Sequence, residues 1–289
     1  MGRLSRLDRI AVGILEWGAT SLRDLPWRRT SDPWHVLVSE VMLQQTSVAR
    51  VLPKYDAFIA EFPSPAALAD APLGDALRLW QGLGYPRRCR NLRAAAVAIT
   101  QNHGGEIPAS LEDLLALPGI GQYTARAVQA FAHRIDAAVV DTNVSRVLSR
   151  LEGAPMGARD LQRFADSLVP RGMAWEWNQS LMDFGARHCT ARQPACAGCP
   201  VRRQCRWKGV GPDPAPASAG ASRPQARFEG SSRQMRGRII RALSGGSQSR
   251  SSLVRDLSDG EDRLRVDRLV SALIEEGLVA ERAGQLSLP

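Results

Sequence analysis

Four cysteines crowd into one short stretch of the chain with the spacing C-x6-C-x2-C-x5-C, at Cys189, Cys196, Cys199 and Cys205. Thiolates gathered this closely are typical of a metal centre, because the reducing thiol pools of a cytoplasm open disulfides. Four thiolates suit either a zinc ion or an iron–sulfur cluster, and the ligand count alone does not separate the two. Cys89 lies among arginines, and we interpret it as an ordinary helix residue.

Two acidic residues stand where they could take part in proton transfer or charge stabilisation. Glu40 has apolar helical neighbours such as Val36 and Val41. A carboxyl group among apolar side chains favours its protonated form, as a general acid requires. Asp141 follows an apolar run, where a carboxylate is partly desolvated. The simpler alternatives are a solvated surface glutamate and an aspartate that caps the helix beginning at Thr142.

A short glycine-containing segment, Leu117-Pro118-Gly119-Ile120-Gly121, separates two helical patterns. Its glycines permit a tight turn with exposed amides, and the N-terminus of the next helix follows at once. Together these N–H groups could hold a DNA phosphate without contacting bases. An ordinary turn between two helices is the alternative.

Helices must position these groups. Pro and Gly divide the chain into short segments with helical periodicity, and few segments alternate apolar and polar residues as strands do. The longest is predicted over Trp34–Val51, with Pro33 in its first turn and Pro53 beyond its end. The others are predicted over residues 64–69, 73–80, 87–102, 110–116, 123–134, 142–151, 159–169 and 173–186. The body is therefore predicted to be all-α.

Composition favours a globular protein with a nucleic-acid partner. The 289 residues include 38 Lys and Arg against 29 Asp and Glu, a net charge of +9, and 44% are hydrophobic, which excludes a wholly disordered chain. A polyanionic partner suits this charge, and a basic run around the cysteines, Arg187 to Lys208, could face phosphates or be a solvated surface. Because no stretch approaches the length of a membrane span and no signal-peptide block opens the chain, we expect a cytoplasmic protein with no membrane partner.

The C-terminal part has a different character. Residues 209–226 are rich in Gly, Pro, Ala and Ser and are predicted to be a linker. After it, helices are predicted over residues 233–243, 249–257 and 262–276, and a hairpin over 278–288 that turns at Ala283-Gly284. This order is typical of a winged helix. From residue 210 onward, 12 Arg against 10 acidic residues leave only +2, so DNA contact and packing against a partner both stay open.

The hairpin at residues 117–121, Asp141 and the cysteine run together resemble the helix-hairpin-helix DNA glycosylase superfamily with its [4Fe–4S] loop. The octapeptide Ser-Glu-Val-Met-Leu-Gln-Gln-Thr at 39–46 closely resembles the adenine DNA glycosylases of the A/G-mismatch (MutY) type. The blocks Leu-Pro-Trp-Arg at 25–28, Gly-Leu-Gly-Tyr at 82–85 and Val-Asp-Thr-Asn-Val-Ser-Arg-Val-Leu at 140–148 are similar to that family as well. The resemblance covers about residues 7–208.

This resemblance implies a two-lobed glycosylase core over residues 1–208, with a six-helix barrel lobe at 28–141 and a cluster lobe made of 1–27 and 142–208. The four cysteines would bind a [4Fe–4S] cluster. The implied activity is monofunctional excision, in base excision repair, of adenine mispaired with 8-oxoguanine or guanine in duplex DNA, after the adenine is flipped out. We expect a monomer associated with the nucleoid, carrying a winged-helix-like domain at 227–289.

The resemblance also assigns roles to single residues. Glu40 would protonate the adenine, and Asp141 with Asn143 would stabilise the oxocarbenium-like sugar. Tyr123 would lie in the catalytic pocket, where the related endonuclease III type has a lysine that forms a Schiff base. The wedge positions match Gln45 and Tyr85, the hairpin contacts to DNA match Leu117, Gly119 and Gly121, and the adenine pocket matches Trp27, Arg28, Leu43 and Gln179.

Two departures from the family pattern keep alternatives open. Pro86 stands where much of the family has a second tyrosine, and the tail does not fit the family's usual Nudix-like lesion-reading domain. Recognition of 8-oxoguanine is then either absent or shifted onto Gln45, Tyr85 and the tail. The alternatives are a bifunctional oxidised-pyrimidine glycosylase/lyase and a non-catalytic Fe–S DNA-binding regulator.

Overall fold

The computed structural model describes residues 4–221, 227–258 and 262–289, and helices dominate these ranges. The α-helices are α1 (Arg6–Ser21), α2 (Pro33–Leu43), α3 (Val48–Glu61), α4 (Pro65–Asp70), α5 (Leu73–Leu79), α6 (Arg87–Asn102), α7 (Leu111–Ala116), α8 (Gln122–Phe131), α9 (Thr142–Glu152), α10 (Ala158–Asp166), α11 (Ala174–Arg187), α12 (Ser232–Ser244), α13 (Arg250–Leu257) and α14 (Arg263–Glu275). The strands are β1 (Gln248–Ser249), β2 (Ala280–Arg282) and β3 (Gln285–Ser287). The all-α prediction is confirmed. No helix in the described ranges has both the length and the apolar character needed to cross a membrane.

One predicted helix is wrong. The span Trp34–Val51 forms two helices, α2 and α3, and the chain breaks between them at residues 44–47. At the break Gln45 has a φ of 55°, in the left-handed region that side chains other than glycine rarely adopt. Pro53 lies inside α3 instead of beyond a helix end. The residues at the break, Gln-Gln-Thr-Ser, are polar, but a solvated turn within one long helix can have the same composition. Periodicity therefore could not detect the break.

The first of two compact units contains Met1–Val36, Ala109–Leu111 and Gly121–Pro224. Its core is an apolar cluster contributed mainly by α1, α9 and α11, in which Ile14, Leu148 and Trp177 are at most 1% exposed. The helices α1 and α11 approach closely at Gly18, where an added Cβ would lie 1.9 Å from Ser180 Oγ. Only glycine fits this crossing, which packs α1 beside the helix that precedes the cysteines.

The second unit contains Leu37–Pro108, Glu112–Ile120 and Gln225–Pro289. Its centre is made of the buried side chains Phe58, Leu68, Trp80, Leu92 and Ile99, each at most 2% exposed. The Phe58 and Trp80 rings meet edge to face with centroids 5.7 Å apart. The tail belongs to this unit, and its helix α12 packs against α5.

The tail has the helix and hairpin order that its sequence predicts. Its helices α12, α13 and α14 bury Ile239, Leu253 and Val270. The strands form a small antiparallel sheet in the order β1-β3-β2. Between β2 and β3, Ala283 and Gly284 have φ values of 48° and 74°, as a two-residue hairpin turn with two left-handed positions requires.

Part of the predicted linker packs against the first unit. Arg150 binds Asp213 at 2.7 Å, and the Ala219 amide donates to the Met156 carbonyl at 2.8 Å. The Met156 amide in turn donates to the Ser218 hydroxyl at 3.0 Å. Residues 213–219 are therefore held in place by both backbone and side-chain contacts.

Glu276, at the C-terminal end of α14, anchors the tail to α6. Its carboxylate accepts from the Arg87 guanidinium at 2.6 Å and also binds Arg236, while its carbonyl accepts from Arg90. The hydrogen bond from Arg87 lowers the pKa of Glu276 to about 2, and Arg236 acts in the same direction against the effect of burial. The carboxylate therefore stabilises the docked tail in its ionised form.

Replacing Glu276 by glutamine is expected to lower the free energy of unfolding at neutral pH, and the loss should shrink in acid. A carboxyl group with a lowered folded-state pKa contributes fully above its ordinary pKa near 4.5 and loses that contribution as the pH falls toward about 2. The difference from wild type should fall to less than half by about pH 3. Urea unfolding at several pH values measures it, with exposed Glu275→Gln as the control. A difference that stays constant down to that pH would contradict the anchoring role.

Candidate active site

Glu40 lies on a helix that is buried around nearly its whole circumference. Asp32 starts α2 by accepting from the Trp34 amide at 2.8 Å, and Pro33 fills the first turn. Glu40 is only 5% exposed, between Ser39 at 1% and Val41 at 3%. The alternative of a solvated surface glutamate is therefore wrong. The carboxyl group is withdrawn from solvent, which favours the protonated form that a general acid requires.

Arg88 organises the two short loops that carry Gln45 and Tyr85. One of its nitrogens donates to the carbonyls of residues 41, 42 and 44 at 2.6–2.9 Å, and the other to the Thr46 hydroxyl and the carbonyls of residues 83 and 84 at 2.9–3.0 Å. Its guanidinium also stacks 5.5 Å from the Tyr85 ring. Burial lowers the pKa of Arg88 to about 10, so the group stays charged at neutral pH. Sequence analysis missed this residue.

Substituting Arg88 by lysine should destabilise the fold, because a single ammonium cannot reach six acceptors spread over the end of α2 and two loops. We expect the free energy of unfolding to fall by about 2–4 kcal/mol, measured by denaturant titration. Arg93→Lys on the same helix is the control, since Arg93 donates to only two carbonyls, those of Ala69 and Ala71. Equal losses in the two variants would count against the role assigned to Arg88.

Asp141 serves as the N-cap of α9, and its second oxygen is held by a neighbour. Its Oδ1 accepts from the Val144 amide at 2.7 Å, which is the simple alternative foreseen from sequence. Its Oδ2 accepts from the Asn143 side-chain amide at 2.9 Å. The carboxylate is half-buried and fixed in orientation, so the cap and a functional charge are compatible in one residue.

Hydrogen bonds continue from Asp141 to the cysteine loop. Asn143 Oδ1 accepts from Arg146 at 2.9 Å, and the same guanidinium donates to the Cys189 carbonyl at 2.9 Å. Arg146 also binds the Gly185 carbonyl at 2.6 Å. The first turns of α9 thus connect Asp141 to the start of the cysteine loop through two side chains, those of Asn143 and Arg146.

A buried carboxylate that sequence analysis missed holds Arg28. Asp183 on α11 is fully buried and accepts from Arg28 through both oxygens at 2.9 Å, and from the Arg23 side chain and amide. Burial raises the pKa of this carboxyl group, but the hydrogen bonds from the two arginines outweigh burial and lower it. The apolar neighbours of Asp183 on its helix carried the same signal that drew attention to Glu40. Trp27 and Gln179 are also buried, at 6% and 5% exposure.

The predicted turn lies between α7 and α8. The Ile120 amide donates to the Leu117 carbonyl at 3.2 Å, and Gly119 has a φ of 79°. A Cβ at Gly119 would lie 2.7 Å from Asn91 Cβ, so glycine is required there. Gly121 is the N-cap of α8, and the half-buried Tyr123 occupies its first turn.

The four cysteines lie in one loop whose donors point at sulfur. Arg150 donates to Cys189 Sγ at 3.4 Å and the Lys208 amide to Cys205 Sγ at 3.3 Å. Gly209 approaches Cys196 Sγ so closely that a Cβ would lie 2.9 Å from it. Burial raises the pKa of Cys199 to about 11 and raises that of Cys189. In the described part of the chain, no three His, Cys, Asp or Glu side chains are spaced to share a single metal ion.

A basic recess of about 400 Å³ adjoins the cysteine loop within the first unit. Arg6 and Arg206 both bind Glu152, which neutralises part of this charge. The recess is lined by Arg6, Arg9, Arg203, Gln204, Cys205, Arg206 and Lys208. Of the basic run found in the sequence, Arg203, Arg206 and Lys208 therefore lie at this recess, together with Arg6 and Arg9 of α1.

The predicted site residues fall into two sets. The first unit holds Trp27, Arg28, Gly121, Tyr123, Asp141, Asn143, Gln179 and the four cysteines, and the second holds Glu40, Leu43, Gln45, Tyr85, Leu117 and Gly119. Direct contacts join Asp141 to Asn143 in the first unit, and Arg88 links the loops of Gln45 and Tyr85 in the second. The roles of these residues stay predictions.

Comparison with known proteins gives consistent matches. Residues 38–171 match the HhH-GPD superfamily of base excision DNA repair proteins. The chain is 41% identical over 277 residues to the adenine DNA glycosylase of Mycolicibacterium smegmatis, covering 94% of this chain and 93% of that protein. It is 38% identical over 208 residues to the human adenine DNA glycosylase, covering 67% of this chain and 38% of that one.

Among solved structures, a thermostable thymine-DNA glycosylase matches with a TM-score of 0.67 and 30% identity. The match covers 71% of this chain and 97% of that one. Because nearly the whole of the shorter protein is matched, the part of this chain that it leaves out is additional to the shared fold.

Proposed function

Because this chain belongs to the HhH-GPD superfamily of base excision DNA repair proteins, and within it to the adenine DNA glycosylases, we propose that it excises adenine mispaired with 8-oxoguanine or guanine. The chain is a DNA glycosylase, and DNA is its partner. The observation that carries the finer proposal is the 41% identity to an adenine DNA glycosylase, which extends over 94% of the chain.

In the proposed reaction Glu40 acts as the general acid. It donates a proton to the adenine ring, so that the C1′–N9 bond breaks with its electron pair passing to the leaving base. The buried position of Glu40 supports this role, since burial favours the protonated form of a carboxyl group, and only that form has a proton to donate. General acid catalysis of this kind contributes about 10²–10⁴-fold to a rate.

Asp141 stabilises the oxocarbenium-like sugar left behind. Its carboxylate supplies negative charge, and Asn143 fixes the orientation of one carboxylate oxygen. Water then forms a bond to C1′ and loses a proton, which in the net reaction restores the protonated Glu40 and leaves adenine and an abasic sugar in an unbroken strand. The proposal requires Glu40 and Asp141 to reach the same extruded adenosine.

Extrusion of the adenine is assigned to the wedge positions Gln45 and Tyr85. Unstacking a base costs a few kcal/mol, which wedge side chains offset. The hairpin amides at Leu117, Gly119 and Gly121 would hold a phosphate. The pocket for the extruded base is assigned to Trp27, Arg28, Leu43 and Gln179, and the Asp183 carboxylate that grips Arg28 supports a fixed pocket wall.

The chain is proposed to be monofunctional, because Tyr123 cannot form a Schiff base. The sequence contains only two lysines, Lys54 and Lys208. A bifunctional oxidised-pyrimidine glycosylase/lyase would need such a lysine, and a non-catalytic Fe–S regulator would not need a buried acid at position 40. Both alternatives therefore have less support.

We assign the cysteine loop to a [4Fe–4S] cluster held by Cys189, Cys196, Cys199 and Cys205. The four thiolates would each take a separate iron of such a cluster, so these cysteines would not need the close spacing that one shared ion requires. The N–H donors on Cys189 Sγ and Cys205 Sγ fit thiolates, and thiolate ligation would offset the raised thiol pKa values. When bound, the cluster supplies a rigid support for the basic recess. The enzyme is further proposed to work as a monomer at the nucleoid, where its DNA lies.

The deciding experiment is adenine release from duplex DNA that carries adenine opposite 8-oxoguanine, guanine, cytosine or thymine. We expect release opposite 8-oxoguanine and guanine, with strand breaks only after alkali or heat. Borohydride should trap no covalent protein–DNA adduct, since no lysine stands at position 123. Efficient trapping, or no adenine release by cluster-loaded protein, would overturn the proposal.

A further inference from the structure

The second unit contains a cavity of about 530 Å³ between the loop at residues 81–86 and α12 of the tail. Tyr85 lines it from the loop, and Arg233, Gly237 and Arg241 line it from α12. A contact closes one end, because Arg233 donates to the Tyr85 hydroxyl at 2.8 Å. The tail thus completes a recess on the same surface that carries Gln45 and Tyr85.

The cavity is positively charged. Arg50, Arg238 and Arg241 line it and are exposed, and within the described ranges no acidic group pairs with any of the three. Glu229 is the acidic residue in the lining. Helix α12 contains arginines and no acid, so the near-neutral total of the tail conceals a strongly basic helix. Guanidinium groups at this density suit phosphate oxygens.

Aromatic rings accompany the charge. The Arg233 guanidinium lies 5.7 Å from the Tyr85 ring and 5.3 Å from the Phe228 ring, and all three residues line the cavity. Flat rings beside phosphate-binding groups are the combination that accommodates a nucleotide, because bases stack on aromatic and guanidinium planes. A volume of about 530 Å³ is of the size that small ligands occupy.

Two features of the backbone support a binding role. Gly237 lies in the middle of α12, where glycine costs about 1 kcal/mol relative to alanine, and nothing lies within 4 Å of the Cβ it lacks. Gln45 and Tyr85 both adopt left-handed φ values, 55° and 49°, which cluster at functional sites. Packing therefore does not require glycine at position 237. Its missing side chain instead leaves room in the wall of the cavity.

We propose that this cavity binds one nucleotide unit of the DNA substrate, with its phosphate on Arg238 and Arg241 and its base against Tyr85 and Phe228. The proposal rests on the DNA glycosylase function and adds a subsite to it. It also assigns DNA contact to the first helix of the tail. The third helix is the usual recognition helix of such folds, but here Asp267 on α14 pairs with Arg250.

The test compares charge reversal on two faces of the tail. Arg238→Glu with Arg241→Glu should weaken binding to duplex DNA by about tenfold or more, and should reduce the slope of log Kd against log salt by about 2. The matched control is Arg263→Glu with Arg268→Glu, on the exposed face of α14. Binding is measured by fluorescence anisotropy with the full-length protein. Equal losses from the two pairs would overturn the proposal.

A second series fills the cavity without changing charge. Gly237→Leu should weaken duplex binding by about tenfold while the thermal midpoint stays the same or rises, because leucine is the better helix former. Gly237→Ala should weaken duplex binding less than Gly237→Leu, because its side chain is smaller. Millimolar dAMP should not displace the duplex. Wild-type binding by Gly237→Leu, or displacement by micromolar dAMP, would overturn the assignment to DNA.

Adenine release, measured on the same variants at saturating enzyme, separates the two proposals. If the wild type releases adenine and the variants bind DNA normally, the subsite is wrong and the function stands. If the wild type releases no adenine while α12 variants bind weakly, the function is wrong and the cavity remains a DNA contact.

Discussion

Replacing Glu40 by glutamine is expected to reduce adenine release by about 10²–10⁴-fold, the range that general acid catalysis contributes. Glutamine keeps the size and polarity of the side chain but has no carboxyl proton to give. Because Glu40 is only 5% exposed and glutamine has the same shape, the exposed surface is unchanged and duplex affinity should stay close to that of wild type. Single-turnover release at saturating enzyme isolates the chemical step.

The control for this variant is Glu61→Gln, at the exposed end of α3. It makes the same chemical change on a neighbouring helix and should leave adenine release and stability unchanged. Circular dichroism and thermal unfolding establish that both variants fold. If folded Glu40→Gln releases adenine at the wild-type rate, Glu40 is not the acid.

Asp141→Asn is expected to reduce adenine release by about 10²–10³-fold with almost no loss of stability. Asparagine is as good an N-cap as aspartate, so the bond from the Val144 amide can be kept. The substitution removes the negative charge that the oxocarbenium-like sugar needs, and of the two hydrogen bonds to the carboxylate it loses the half-buried one from the Asn143 amide. If Asp141 were only a helix cap, Asp141→Asn would release adenine normally. If its charge stabilises the sugar, the same variant should release adenine much more slowly.

Asp262→Asn is the matched control, because Asp262 caps α14 in the same way, accepting from the Leu264 amide at 2.9 Å. Denaturant unfolding should give nearly equal free energies for wild type and both variants. Adenine release should fall in Asp141→Asn alone. Normal release by that variant would leave Asp141 as a helix cap and nothing more.

Local patterns in the sequence predicted much of the fold, because helix periodicity, prolines and the hairpin dipeptide act over a few residues. The helices and hairpin of the tail followed from such signals, with the Ala283-Gly284 turn where it was expected. The break between α2 and α3 did not, since Arg88, more than 40 residues away, ties down the carbonyls at the end of α2. A side chain that binds backbone carbonyls from a distant part of the sequence does not alter the hydrophobic periodicity of the segment it binds.

In the candidate site, too, local patterns could be predicted from the sequence and contacts between distant residues could not. Glu40 could be found because an acid in an apolar helix is conspicuous, and Asp183 carried that signal too, but its partners Arg23 and Arg28 lie on a distant segment. Adding up charges suggested a weakly basic tail. The structure shows that Glu276 pairs with Arg87 and with Arg236 of α12, and that Asp267 pairs with Arg250. Among the described residues no acid pairs with Arg238 or Arg241, so the cavity side of α12 stays positive. A net charge summed over the tail cannot show which arginines pair with acids and which do not.

The docking of the tail has a consequence for how such enzymes can diverge. Glu276 accepts from Arg87 and Arg90 on α6, and Gly74 on α5 lacks a side chain where Leu288 and the Pro289 carbonyl approach. A lineage that exchanged this module for another could not do so by splicing alone. It would have to rebuild α5 and α6 at the same time, so the catalytic core and its appendage should have changed in concert.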